Sequence, residues 1–566
     1  MAHNCLFRLL NHAGHPDRNS LYSILSNLSF RVRNLQTAAF DMPTAKTYQE
    51  AIAALNTLQS NAQVLEKARR ERSRNAANNI KWMENLLRYL DVEPSDLDRL
   101  NVIHISGTKG KGSTCAFTES LLRHLGYKTG FYSSPHLVAV RERIRINGRP
   151  ISEELFTQYF WEVYGRLIRA CQPDEMPPYF KFLTVMCFYV FLKEKIEVAV
   201  MEVGIGGAYD CTNVIRNPVV CGVTSLGYDH MPILGNTLAE IAWHKAGIFK
   251  RNCPAVTVTQ PPEAMAVLQG RAAEIGAALS VSPDLSAYGC PSGPIHLGIE
   301  GAIQSLNASL ALQLVKLWLM RKTDSVNETL ENWDSDEENV CLCKENSEIE
   351  KQSAESAEIE KPVGSVSISK LEKPAKIPDV LEGYKLSSIL VNALESCVWP
   401  GRFQTIRRNN VQYYLDGAHT KDSVEYCAQW FKKVQETQTS ARKFLIFNST
   451  ADRKPEDLLR PLVSCGFDAA LFCPNILGGS AGAGDLLNFT VNRDHQMARC
   501  SLHESVWKSL SDERCSQCFA TVADALSWIE GQAHGDDEHV GVLVTGSLHL
   551  VGAVLTVLDP SLHNTL

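Results

Sequence analysis

Short apolar runs alternate with longer amphipathic stretches along most of the chain. Asn101–Ser106 (NVIHIS) is rich in β-branched residues, and Ser113–Leu125 after it repeats apolar positions at helical spacing. Thr129–Tyr132, Val198–Val203, Val219–Ser225 and Ala255–Val258 read as further strands, and Ala302–Met320 as a long helix. The rhythm returns near the end, with strands expected at Gln412–Leu415, Lys443–Phe447, Ala469–Cys473 and Val540–Thr545. Strands alternating with helices predict mostly parallel sheets covered by helices, an α/β fold. Val540–Leu558 is the most apolar window, but Thr545, Gly546, Ser547 and His549 break it. A buried strand, a turn and a helix account for it better than a membrane span.

Between the two sets of strands, Glu, Ser and Lys dominate and apolar residues are few. Such a stretch buries too little surface to offset its ordering entropy. The pattern therefore predicts an N-terminal domain at 42–322, a disordered acidic insert at 323–384, and a smaller C-terminal Rossmann-like α/β domain at 385–566. Trp399-Pro400-Gly401 marks a turn near the start of the last block.

The chain has 566 residues, too many for one ordinary core, and 45% of them are hydrophobic. Its net charge of −7 argues against a general nucleic-acid or membrane-surface binder, which needs a basic field. The 17 cysteines show no disulfide framework and suit a reducing compartment. Cys515 and Cys518 form a lone CxxC with no second pair at zinc-ligand spacing. Residues 1–41 carry Arg8, Arg18, Arg31 and Arg33, no lysine, and only Asp17 and Asp41 as acids. That composition predicts a mitochondrial transit segment, with a cytosolic form if synthesis starts at Met42.

The run Gly107-Thr108-Lys109-Gly110-Lys111-Gly112-Ser113-Thr114 follows a strand and opens a helix, the context of a phosphate loop. Glycines let backbone amides turn onto phosphate oxygens, and the helix N-terminus adds positive partial charge. Lys111 can neutralise phosphate, and Ser113 or Thr114 can reach a magnesium ion. Gly112 separates Lys111 from Ser113, a departure from the usual spacing. Taken alone, the loop serves a kinase, an ATPase or a GTPase equally well.

Three patches follow other strands of the same sheet: Ser133-Ser134-Pro135-His136, Glu202, and Asp229-His230. Ligands of such sheets bind beyond the carboxyl ends of the strands, and a carboxylate there can hold magnesium. A helix cap, a turn start and a loop histidine are the alternatives. Lys245 in IAWHKAGI reads, from the residues alone, as an exposed lysine at a helix end, where the dipole favours a cation.

The ordered motifs go further. GTKGKGS at Gly107, SSPHL at Ser133, RERIRING at Arg141, MEVGIGGAYDCTN at Met201, GYDH at Gly227, HKAGIFK at His244, WPGR at Trp399, DGAH at Asp416 and VTGSLHLVG at Val544 run through most of the chain. With them the chain resembles the folylpolyglutamate synthases, a family of the Mur-ligase superfamily, in its eukaryotic form. The resemblance implies a P-loop ATPase domain and a smaller α/β domain with the active site between them. It maps nucleotide contacts onto Gly110, Lys111, Gly112, Ser113, Asn307, Arg402 and Asp416. Magnesium ligands map onto Ser134, Glu202 and His230, and a carbamylated lysine onto Lys245, which would hold a second magnesium. Lys111, Lys245 and His419 take catalytic positions; Arg143, Arg453 and Ser547 take substrate positions. Where the family has a histidine before the long helix, this chain has Ile303, followed by Gln304 and Asn307.

The implied reaction joins L-glutamate to the γ-carboxylate of folate or tetrahydrofolate at the expense of ATP, through an acyl phosphate. ATP and Mg2+ are the implied cofactors, with K+ or another monovalent cation a further candidate; a monomer without nucleic-acid partner is expected. Dihydrofolate synthase is the nearest rival. A nucleotide-binding regulatory protein without catalysis is the rival from another class.

Overall fold

The computed structural model describes residues 46–59, 78–172, 175–291, 293–323, 379–437, 440, 442–449, 453–478, 493–511, 515–532 and 539–559. The transit-like segment 1–41 and all but the end of the acidic insert 323–384 lie outside the described residues. Tyr48–Leu566 form one unit that holds two sheets.

In the larger sheet β1 (Ile103–Ser106) is buried along its whole length. β5 (Val198–Glu202) and β6 (Val220–Val223) flank it, both parallel to it. Beyond β5 comes β2 (Thr129–Tyr132); beyond β6 come β7 (Pro254–Thr257) and β8 (Ala278–Val281), all parallel to their neighbours. The hairpin β3 (Ile144–Ile146) and β4 (Arg149–Pro150) closes the β2 edge in antiparallel register. The chain leaves β1, passes over the future place of β5 to form β2, and crosses to the other side only with β6. Strand order thus reverses at β1, and the crevice for ligands opens there.

Helices cover both faces. On one, the helices Lys111–His124, Gln304–Thr323 and Ser388–Glu395 pack Phe117, Leu121, Leu314, Trp318, Leu390 and Leu394 over β1 and β5. On the other, the helix Tyr179–Lys193 is buried over most of its surface, which is why it shows little amphipathic pattern.

The second sheet has six strands in the order β13-β12-β11-β14-β10-β9: β9 (Gln404–Arg408), β10 (Val411–Leu415), β11 (Arg442–Phe447), β12 (Ala469–Phe472), β13 (Cys515–Cys518) and β14 (Val540–Thr545). All pairs are parallel except β9 with β10. The expected α/β architecture with two sheets is therefore present.

One boundary moves. Leu386, Leu390, Val391, Ala393, Leu394 and Cys397 complete the core of the first sheet, and Val380 and Lys385 bridge to residues 281 and 289. The change of sheet comes between Cys397 and Gln404, not at residue 385. The apolar face of the Ser388–Glu395 helix needs a partner, and the Lys111–His124 helix supplies it.

The lobes also interpenetrate. Leu137 and Val138 join the apolar cluster of the second sheet, with Leu550 and Val551. Ile303 packs on the cluster that holds Phe403 and Trp430. The Trp430 indole donates to Glu300 Oε2 at 2.7 Å. Trp430→Phe keeps the ring contacts with Phe403 and Tyr414 but removes that donor. A loss of about 1–2 kcal/mol is expected, read from the urea midpoint.

Candidate active site

The phosphate-loop candidate leaves β1 and is pinned from beneath. The amides of Thr108 and Lys109 both donate to Ser225 O at 3.0 Å, beyond the end of β6. The Thr108 hydroxyl donates to Gly227 O at 3.1 Å. Gly110 caps the helix with φ +89°, and a Cβ there would stand 2.2 Å from Asn307 Oδ1. Asn307, from the start of the long helix, thus lies against the loop; its amide donates to Gln304 Oε1 at 2.8 Å. Gly110, Lys111, Gly112, Ser113 and Asn307 all line one cavity of about 1660 Å³. Pockets for single drug-sized ligands run to about 1,000 Å³, so this one has room for more than one substrate.

The carboxyl ends of the neighbouring strands bring Ser134, Glu202 and His230 to the same cavity. Glu202 is 5% exposed and accepts the Ser134 amide at 3.1 Å. Burial raises its pKa, opposed by Lys111 and the Ser134 amide, and it is in no ion pair among the described residues. Burial lowers His230 against the pull of Asp229, which keeps the imidazole neutral with a lone pair to offer. Among the described residues no three His, Cys, Asp or Glu side chains form a metal cage.

Lys245 overturns the reading from the residues alone. It is 3% exposed, and its Nζ donates to Gly107 O at 2.6 Å. The short helix Leu238–Ala246 turns it inward, towards the loop, rather than to solvent. Burial, with Lys111 close by, holds its pKa well below the usual lysine value.

The second lobe contributes the opposite wall. Arg402, Asp416 and His419 line the cavity. Asp416 accepts the Phe403 amide at 3.1 Å and the Ala418 amide at 2.9 Å, and so ties the end of β10 to the arginine's loop. Burial pushes Asp416 up to about 6, opposed by Arg402. His419 Nδ1 stands 2.7 Å from Gly417 O, and burial pulls the ring down to about 4.

One group that the sequence reading left without a role links the lobes. Asp229 meets Lys109 Nζ at 3.5 Å, Arg453 Nη2 at 3.6 Å and His419 Nε2 at 3.8 Å. Burial alone would raise its pKa; the His419 contact and the nearby cations outweigh that and hold it well below the carboxylate range. Burial brings Lys109 down to about 8 against the pull of Asp229. Arg453 also donates to His419 O. It does not itself line the cavity but backs residues that do.

Arg143 lines the cavity, donates through Nε to His136 Nδ1 at 3.0 Å, and stands over the Tyr179 ring. Past it the cavity continues to Trp82, Tyr179, Phe180, Lys181 and Asp210, with Lys181 Nζ 3.4 Å above the Trp82 ring. No motif flagged this aromatic end. Ser547 is buried and caps the last helix, its hydroxyl accepting the His549 amide at 3.2 Å, and Leu548 and His549 beside it line the cavity.

No protein-family model matches the chain. The chain is 41% identical over 581 residues to human mitochondrial folylpolyglutamate synthase, covering 91% of this chain and 92% of that protein. Its fold is similar to Mycobacterium tuberculosis folylpolyglutamate synthase complexed with ADP and AMPPCP, at TM-score 0.61 and 22% identity over 85% of this chain and 95% of that one. It is also similar to Escherichia coli FolC in complex with DHPP and ADP, at TM-score 0.58 and 22% identity over 92% and 99% of the two chains.

Gly110→Ala combines a left-handed φ with the Asn307 clash. It should cost more than about 1 kcal/mol and lower the melting temperature, measured by calorimetry.

Proposed function

This chain belongs to the folylpolyglutamate synthase family, and we propose that it joins L-glutamate to the γ-carboxylate of tetrahydrofolate and of its polyglutamates, using ATP. The observation that carries this reading is the single cavity into which both lobes look, with a phosphate loop on one wall and Arg402 and His419 on the other. A ligase that must shield an activated carboxylate from water while admitting an amine needs such a two-sided chamber.

The triphosphate lies on residues 107–113, where inward amides and the helix N-terminus meet its charge. Lys111 neutralises the γ-phosphate, and Arg402 approaches from the other lobe. The acceptor's γ-carboxylate attacks the γ-phosphorus; the bond to the β-phosphate oxygen breaks, and ADP and an acyl phosphate result. Charge builds on the transferring group, and fixed cations there lower the barrier more than they would in water. The glutamate amine then attacks the acyl carbon, phosphate leaves with the bonding pair, and the amine loses its proton. Lys109, backed by Arg453, forms the cationic side facing the incoming amino acid's carboxylates, with the neutral His419 beside it, and Arg143 faces the acceptor. The aromatic end at Trp82 and Tyr179 suits the flat rings of a folate.

Magnesium fits this wall. Glu202 is a buried carboxylate in no ion pair among the described residues, burial favours the neutral form of His230, and Ser134 adds a hydroxyl. Mg2+ takes one or two protein carboxylates plus phosphate oxygens, so a full cage is not required. When bound it supplies positive charge to the phosphate oxygens. A second cation would need another anion. An amine adds carbon dioxide in its neutral form, which burial favours at Lys245, and the carbamate would be that anion. Residues 1–41 fit delivery to mitochondria, with a cytosolic form starting at Met42.

Lys111→Ala should lower turnover by on the order of 10²–10³-fold with melting temperature unchanged. The assay is mass analysis of tetrahydrofolate incubated with Mg-ATP and glutamate; stepwise glutamyl additions support the reading. Dihydropteroate accepted in place of tetrahydrofolate would favour the sister ligase, and ADP release without either product would favour neither. Lys245→Ala should be inactive and partly restored by formate or acetate, which replace the carbamate's charge. Absence of rescue, together with no 13C carbamate signal from the wild type in labelled bicarbonate, removes the carbamate from the scheme.

A further inference from the structure

Trp399 stands where the chain crosses from one sheet to the other. Cys397 is the last buried residue of the first core, and β9 opens at Gln404. The partly buried indole is wedged among three parts of the first lobe. Phe131 on β2 lies 5.0 Å away between ring centroids. The Arg145 guanidinium on β3 sits 5.0 Å from the ring centre. The third neighbour is the phosphate loop: a Cβ at Gly112 would stand 2.9 Å from the indole nitrogen. Only a glycine lets the indole edge rest against that backbone.

The wedge is rigid on its other side too. Arg145 is buried and donates to Glu142 O at 3.2 Å and Gly148 O at 3.3 Å, so it cannot yield easily. Beyond Trp399 the linker is fixed at once: Gly401 O accepts the Gly417 amide at 3.0 Å, and Gly401 N donates to Gln404 Oε1 at 2.8 Å. The next residue, Arg402, enters the cavity. Trp399 itself is not among the residues that line the cavity.

We propose that Trp399 is a positioning residue: its indole, braced by Phe131 and Arg145, sets the spacing between the Gly112 backbone and Arg402, so that both grip one nucleotide. For its turnover readouts this inference rests on the ligase reading above; for nucleotide affinity it does not. An aromatic ring with two side-chain torsions, held on three sides, holds its place at little entropic cost. Truncation leaves a ring-sized hole between the loop and the linker, and a displacement of about 1 Å of a positioned group can cost on the order of 10²-fold in rate. A mere core filler behaves differently, since its loss lowers stability and leaves affinity for the nucleotide alone.

The test compares the full-length wild type with Trp399→Ala, Trp399→Phe and Arg145→Gln. It measures AMPPCP affinity by calorimetry, melting temperature, and kcat with KM for each substrate. Trp399→Ala should bind AMPPCP about tenfold more weakly and lose kcat by on the order of 10²-fold, with KM for glutamate within about twofold of wild type. Trp399→Phe, which keeps the aromatic packing, should recover most of both. Arg145→Gln frees the ring from the far side without touching the nucleotide and should give an intermediate loss of affinity. A Trp399→Ala protein that melts earlier yet binds AMPPCP as the wild type does overturns the proposal. If the wild type forms no glutamylated folate while the affinity pattern holds, the ligase reading fails and the role of Trp399 stands.

Discussion

The buried amine of Lys245 reaches the carbonyl of Gly107, while the amides of Thr108 and Lys109 share the carbonyl of Ser225. Asn307 lies against Gly110 and Trp399 against Gly112. A loop whose amides must face an anion cannot satisfy them within itself, so its shape has to be imposed by neighbours. Here four separate stretches of chain impose it. The sheet order follows from the same need: β5 and β6 must flank β1 so that Glu202 and Ser225 arrive beside the loop. The glycines of the loop are then places where another element presses close, as well as places where the backbone turns.

Charge also joins the lobes at the cavity. Asp229 sits among Lys109, His419 and Arg453, two of them from the second lobe. With the carboxylate 14% exposed, these contacts act in a medium far less screening than water. Apolar contacts at Leu137, Val138 and Ile303 join the lobes as well, while the charged group joins them at the cavity. The exchange of a histidine for Ile303 fits this division, since the residue contributes apolar area to the second lobe's core while its edge reaches the cavity.

The central strands and the loop were legible because buried parallel strands leave continuous apolar runs and the loop has a glycine-lysine signature at a strand–helix junction. β3, β4, β8, β9 and β13 were not, being short edge or near-edge strands with half-exposed or polar residues such as QTIRR and CSQC. Lys245 was misread because its helix is too short for periodicity to show which way it points. The Asp229 group joins residues 109, 229, 419 and 453, which only the folded topology brings together.

After the acidic stretch the chain does not go straight to the second sheet. Residues 380–397 come back to the first and fill its core with Leu386, Leu390 and Leu394. The first lobe is therefore assembled from two lengths of polypeptide, one running to Thr323 and the other starting at Asp379. A fragment cut at residue 385 would carry an apolar helix without its partner into solution and leave one face of the phosphate-loop helix bare.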